Sequence, residues 1–210
     1  MVNSQLLIVV LKWLPMVFFG IVFALSVFLY FSRHKKVISY KLLVISVIGF
    51  RFFYALLLTI GQYYVWSKNG LTQLLLNAPL DKSITDFSFL NFGYFLFYSY
   101  GRFWLNVFIA VAVAFVFYSF LKFLKKYQER FFEEGETELG FLAALIVGWP
   151  NFVVFLPLVF VSVVLISLFR RLILKEIYTT LGWPFVLATL ITLIWGNKLI
   201  QILNLGVLRI

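Results

Sequence analysis

The ionisable chemistry of this chain is concentrated in one short run. Glu129, Glu133, Glu134, Glu136 and Glu138 make up five of its eight carboxylates, and they stand immediately before a long apolar stretch. The remaining acids are Asp81, Asp86 and Glu176. Two carboxylates that share a site, one ionised to activate water and one protonated to donate, form an acid–base pair. The edge of a membrane segment is where such a pair would act. Glu138, in the first turn of the following helix, is the candidate acid. The other reading of it is an acid that favours the positive N-terminus of that helix, and Glu133, Glu134 and Glu136 are expected in a solvated loop. Arg51 and Arg102 are candidates of a second kind. Arg51 falls inside an apolar span, where a charge must face protein or water. Arg102 adjoins Gly101 between two apolar segments. Both suit an anion, a lipid phosphate or a partner's acid. His34 is the lone histidine and there are no cysteines, so no metal site is expected. The chain shows no Walker loop, Ser–His pair or paired midplane carboxylates, and no cofactor is expected.

The elements that must position these residues are membrane helices. Of the 210 residues, 63% are hydrophobic, against roughly 45–50% in soluble domains. Several stretches are long enough to cross about 30 Å of hydrocarbon. The sequence predicts an all-α, polytopic helical membrane protein, a single integral-membrane domain over 1–210. About six transmembrane helices are expected, with a further interfacial or re-entrant helix over Phe89–Tyr100. The spans are Leu6–Phe31 (read as an uncleaved first span), Leu42–Trp66, Phe103–Leu124, a hairpin within Leu139–Phe169, and Leu181–Ile202. The segment Ser67–Phe87 reads as a loop, and Gly148-Trp149-Pro150-Asn151 as the hairpin turn, since proline and the residue before it disfavour continuous helix. The net charge of +10 sits beside the spans. It follows the positive-inside rule, with loops 33–41, 122–130 and 170–175 cytoplasmic and the N-terminus outside. Nucleic acid is not an expected partner, because no basic run with interleaved aromatics stands free of the membrane.

The C-terminal half carries a resemblance. Gly135-Glu136-Thr137-Glu138-Leu139-Gly140-Phe141-Leu142-Ala143-Ala144-Leu145, followed by Gly148-Trp149-Pro150-Asn151, is similar to the prepilin peptidases, the type IV leader peptidases. Gly182-Trp183-Pro184-Phe185 and Leu187–Trp195-Gly196 resemble that family's last span. Residues 135–200 are the most peptidase-like. The match at Gly20–Tyr30 with Arg33, and at Ile38-Ser39-Tyr40-Lys41, is weaker. The resemblance implies an inner-membrane protein related to enzymes that cleave pre-pilins with two membrane-edge aspartates. The second aspartate falls at Glu138, the preceding glycine at Thr137 and the following lysine at Gly140. The first has only Asp81 or Asp86 as a counterpart, and the four-cysteine loop of many members is absent.

Three functions fit this pattern. The first is a non-catalytic peptidase-like subunit or scaffold, with membrane lipids and other membrane subunits as partners. The second is an intramembrane acid peptidase using Glu138 with Asp81 or Asp86. The third is a small anion or lipid-binding transporter using Arg51 and Arg102. The departures at the acidic positions favour the first.

Overall fold

The computed structural model describes residues 4–31, 36–77, 93, 95–127, 132–174 and 180–208, and these are helical with short turns and no strand. Helices α1 (Ser4–Phe31) and α2 (Lys36–Asn77) are followed by a π-helical turn, Tyr100–Trp104, that leads into α3 (Leu105–Tyr127). Then come α4 (Glu136–Val147), α5 (Phe152–Phe169) with a second π-helical turn (Arg170–Leu174), and α6 (Gly182–Ile202) with a closing 3₁₀ turn (Leu205–Leu208). Five stretches are long and apolar enough to cross a membrane: Trp13–Phe31, Tyr40–Tyr64, Phe95–Tyr127, Phe152–Ile173 and Gly182–Ile202. The sixth expected span is α4. Its 12 residues give about 18 Å of helix, short of the hydrocarbon thickness.

Two boundaries differ from the sequence reading. Helix α2 runs to Asn77, through Asn69-Gly70 and into the segment expected to be a loop. A glycine inside a helix costs only about 1 kcal/mol, too little to end one here. Gly101-Arg102 does not separate two helices either. Residues 95–127 form one helical stretch, widened where the Leu105 amide bonds to the Tyr100 carbonyl. The hairpin turn falls where the prolyl break places it. Gly148 has φ 64 and ψ 177, a left-handed backbone that favours glycine, and its carbonyl accepts the Phe152 amide at 2.8 Å.

The chain divides into two compact units, Met1–Gly49 with Ile109–Arg209, and Phe50–Phe108. Lipid removes most of the hydrophobic drive between helices, so close packing of small residues must hold the first unit together. Every residue of α4 except Glu138 and Phe141 is buried. It offers Gly140, Ala143 and Ala144 towards its neighbours, while α6 buries Ala188, Thr189, Thr192 and Gly196. The two threonine hydroxyls turn back onto their own helix, bonding the Phe185 and Ala188 carbonyls at 2.7 Å. Helices α4 and α6 lie side by side in parallel: Glu136 meets Gly182 at one end, and Asn151 of the turn packs beside Gly196 at the other. Phe117 of α3 stands edge-on to Phe152, Phe155 and Phe185, with ring centroids 5.4, 6.1 and 6.1 Å away.

Gly140 is the tightest of these contacts away from the site. A Cβ there would lie 2.5 Å from Leu121 Cδ1 and 3.0 Å from the Phe185 ring. Gly140→Ala is expected to cost about 1–3 kcal/mol through overpacking and to lower the thermal midpoint in detergent. Gly20→Ala, with no atom within 4 Å of its Cβ, is expected to leave the midpoint unchanged or raise it.

Candidate functional site

The acidic run enters α4 through Gly135, whose φ of 88 is left-handed backbone that glycine adopts without strain. That turn carries Glu136 inward. Its side chain is fully buried, at 0% exposure. Glu136 Oε1 accepts the Gly182 amide at 2.7 Å and the Tyr30 hydroxyl at 3.2 Å. Oε2 accepts the Glu133 amide at 3.0 Å and the Leu181 amide at 3.2 Å. The expectation of a solvated loop therefore holds for Glu133 and Glu134, which are exposed, and is corrected for Glu136. The physical reason is the start of α6. The first amides of a helix have no partner within it, and no side chain of Leu181 caps this one. The Glu136 carboxylate, brought from another helix, takes the amides of Leu181 and Gly182. It also sits at the positive ends of both α4 and α6, which favours an anion.

Gly182 is needed for the same contact. A side chain there would collide with the Tyr30 ring and hydroxyl. Tyr40 stands close by on α2. It is fully buried, and its hydroxyl donates to the Ser26 carbonyl at 3.4 Å.

Burial pushes the Glu136 carboxyl above its ordinary value of 4.5, and the nearby charge of Glu133 adds to that. The amides of Glu133 and Gly182 and the Tyr30 hydroxyl pull the other way. Burial is the largest of these effects.

Glu138, two residues on, lies on the other side of α4 from Glu136. It is half-buried and accepts the Thr137 hydroxyl at 3.0 Å. Asp81 and Asp86, its candidate partners, lie outside the described residues, as do His34, Glu129, Arg130 and Glu176. Among the described residues no three His, Cys, Asp or Glu side chains form a metal-holding group.

The two arginines belong to the second unit. Arg51 is half-buried in α2, and Arg102 is exposed in the π-helical turn. The Arg102 Nη1 donates to the Tyr98 hydroxyl, and its guanidinium lies 5.6 Å from the centroid of that ring.

Sequence reasoning missed the roles of Tyr30 and Gly182. Both fall in segments that carry the peptidase resemblance, but neither is an ionisable group of the kind that draws attention. No family model, curated protein or solved structure matches this chain.

Two outcomes follow from the geometry. Glu136→Ala removes the acceptor of donors on three elements, the Gly182 amide in a buried bond and the others in part-buried ones, and a buried donor left unpaired costs about 1–3 kcal/mol. The variant is expected to lose about that much or more and to lower the melting midpoint. The second outcome concerns pH. A carboxyl whose folded pKa is raised binds its proton more tightly folded than unfolded. Its contribution is fully present below the unfolded value near 4.5 and declines as pH rises through the folded value. Melting midpoints measured across pH should therefore fall for the wild type relative to Glu136→Gln as pH rises above that value. A wild-type curve that rises relative to the variant contradicts the assignment.

Proposed function

We propose that this chain is a non-catalytic, prepilin-peptidase-like membrane protein that serves as a subunit or scaffold in a larger membrane assembly. The observation that carries this reading is the saturation of Glu136. An ionised carboxylate offers about four lone-pair sites, and four donors from its own chain converge on this one. A general base must present an acceptor to the water it activates. The most deeply placed acid of the peptidase-like segment has none to spare, and its position between helices gives it a structural task instead. Glu138 remains at the family's acidic position with an added methylene, where catalytic geometry tolerates displacements of only about 0.5 Å.

The same contacts support the proposed orientation in the cell's inner membrane. Tyr30 ends α1 just before the basic segment 33–41. Glu136 begins α4 after the basic segment 122–130, which the end of α3 enters, and Gly182 begins α6 after the basic segment 170–175, whose first residues form the second π-helical turn. Their hydrogen bonds draw these three ends together. Three basic segments next to these ends fit the positive-inside rule, with that side cytoplasmic and the N-terminus outside. Helix α5 exposes Phe160, Val161, Val164, Leu165, Leu168 and Phe169, apolar surface available to lipids and neighbouring subunits.

The test uses the purified full chain with pre-pilin leader peptides, alongside extraction from native membranes. No cleavage is expected, and the extracted protein should migrate in a species well above its own 24.5 kDa. Leader-peptide cleavage that disappears in Glu138→Gln would overturn the proposal in favour of the acid peptidase.

A further inference from the structure

We infer that Tyr98 and Arg102 form a clamp for the phosphate of an anionic lipid. This inference stands on the second unit alone and is independent of the scaffold reading. Its first support is the effort with which the local backbone is held. A π-helical turn is rare and is found often at functional sites. Here Thr59 anchors it, accepting the Trp104 indole N–H at 3.1 Å and the Ser99 hydroxyl at 3.3 Å while donating to the Ala55 carbonyl at 2.8 Å. The Asn106 amide satisfies the Arg102 carbonyl at 3.2 Å. The result is a firmly placed Arg102 whose side chain is nonetheless exposed.

The second support is the donor set. Arg102 lies against Tyr98 and gives one N–H to its hydroxyl. A guanidinium has five such donors in a planar fork that matches phosphate oxygens. The Tyr98 hydroxyl, acting as acceptor towards Arg102, keeps its own proton to donate. Phosphate oxygens placed against the fork and the hydroxyl would receive charge-assisted bonds from both.

The third support is depth. Arg102 lies only seven residues in from the Phe95 end of an apolar span, Phe95–Tyr127, about 10 Å of helix. A tyrosine beside a cation near the end of a span suits the headgroup level, where Arg102 meets lipid phosphates. Phe97 and Tyr100 on the same helical stretch are exposed, at 79% and 54%, and give apolar surface that suits acyl chains and offers nothing to a hydrated ion. This favours a lipid phosphate over free phosphate.

The test is thermal unfolding of the full chain in neutral detergent, titrated with short-chain phosphatidylglycerol. The wild-type midpoint is expected to rise saturably, while short-chain phosphatidylcholine gives no comparable rise. Arg102→Gln is expected to need about tenfold more phosphatidylglycerol, given the strength of charge-assisted bonds. Lys126→Gln, equal in charge change, should titrate as the wild type does. Tyr98→Phe, which removes only a hydroxyl, should shift the titration by a few-fold and covers the case in which Arg102→Gln does not fold. Arg102→Gln and Tyr98→Phe titrating like the wild type would overturn the clamp. A shift of the same size with Lys126→Gln would overturn it in favour of general charge attraction. A matching rise with inorganic phosphate would overturn the lipid assignment in favour of a free anion.

Discussion

A carboxylate placed between helices in a membrane protein must find donors there, because the surrounding hydrocarbon offers none. In this chain Glu136 finds four, on the end of α1, the turn before α4 and the start of α6. The contact resolves two costs together. It offsets part of the penalty of a buried acid, and it satisfies helix-end amides that would otherwise stand unpaired. The other features of the first unit follow from it. Gly182 must lack a side chain so that Tyr30 can approach. Gly135 must take left-handed backbone so that the acid turns inward. With α4 and α6 pinned in parallel at one end, their small residues pack along their lengths as far as Gly196 and the hairpin turn.

This arrangement also separates two uses of an acid at a membrane edge. A catalytic carboxylate keeps an open acceptor and a nearby second acid. A structural one is enclosed and fully bonded. Glu136 is of the second kind by geometry, and its raised pKa reflects burial among neutral donors. A perturbed carboxyl is a common sign of an active site, but interior hydrogen-bond networks shift titration in the same way.

Much of the helical organisation was legible from residue order. The apolar stretches and the break at Gly148-Trp149-Pro150-Asn151 derive from local chemistry, and the last span begins at Gly182 within one residue of its expected start. Three things were not legible. Glu136 looks like its exposed neighbours Glu133 and Glu134, because its partners Tyr30 and Gly182 lie far away along the chain. Gly101 looks like a break, yet the π-helical turn is held by Thr59, more than forty residues earlier. Asn69-Gly70 looks like a loop, but the helix continues past it. In each case a local signal was outweighed by a long-range contact or by continuous helical hydrogen bonding, and the sequence pattern records neither.

The most direct test of the account is amide hydrogen exchange at Leu181 and Gly182, compared between the wild type and Glu136→Gln. Both amides should be protected in the wild type, because they end on a buried carboxylate. In the variant, which replaces one acceptor oxygen with an amide donor, their exchange should quicken by about an order of magnitude or more. Fast exchange in the wild type, or protection unchanged by the substitution, would contradict the claim that Glu136 holds these helices together.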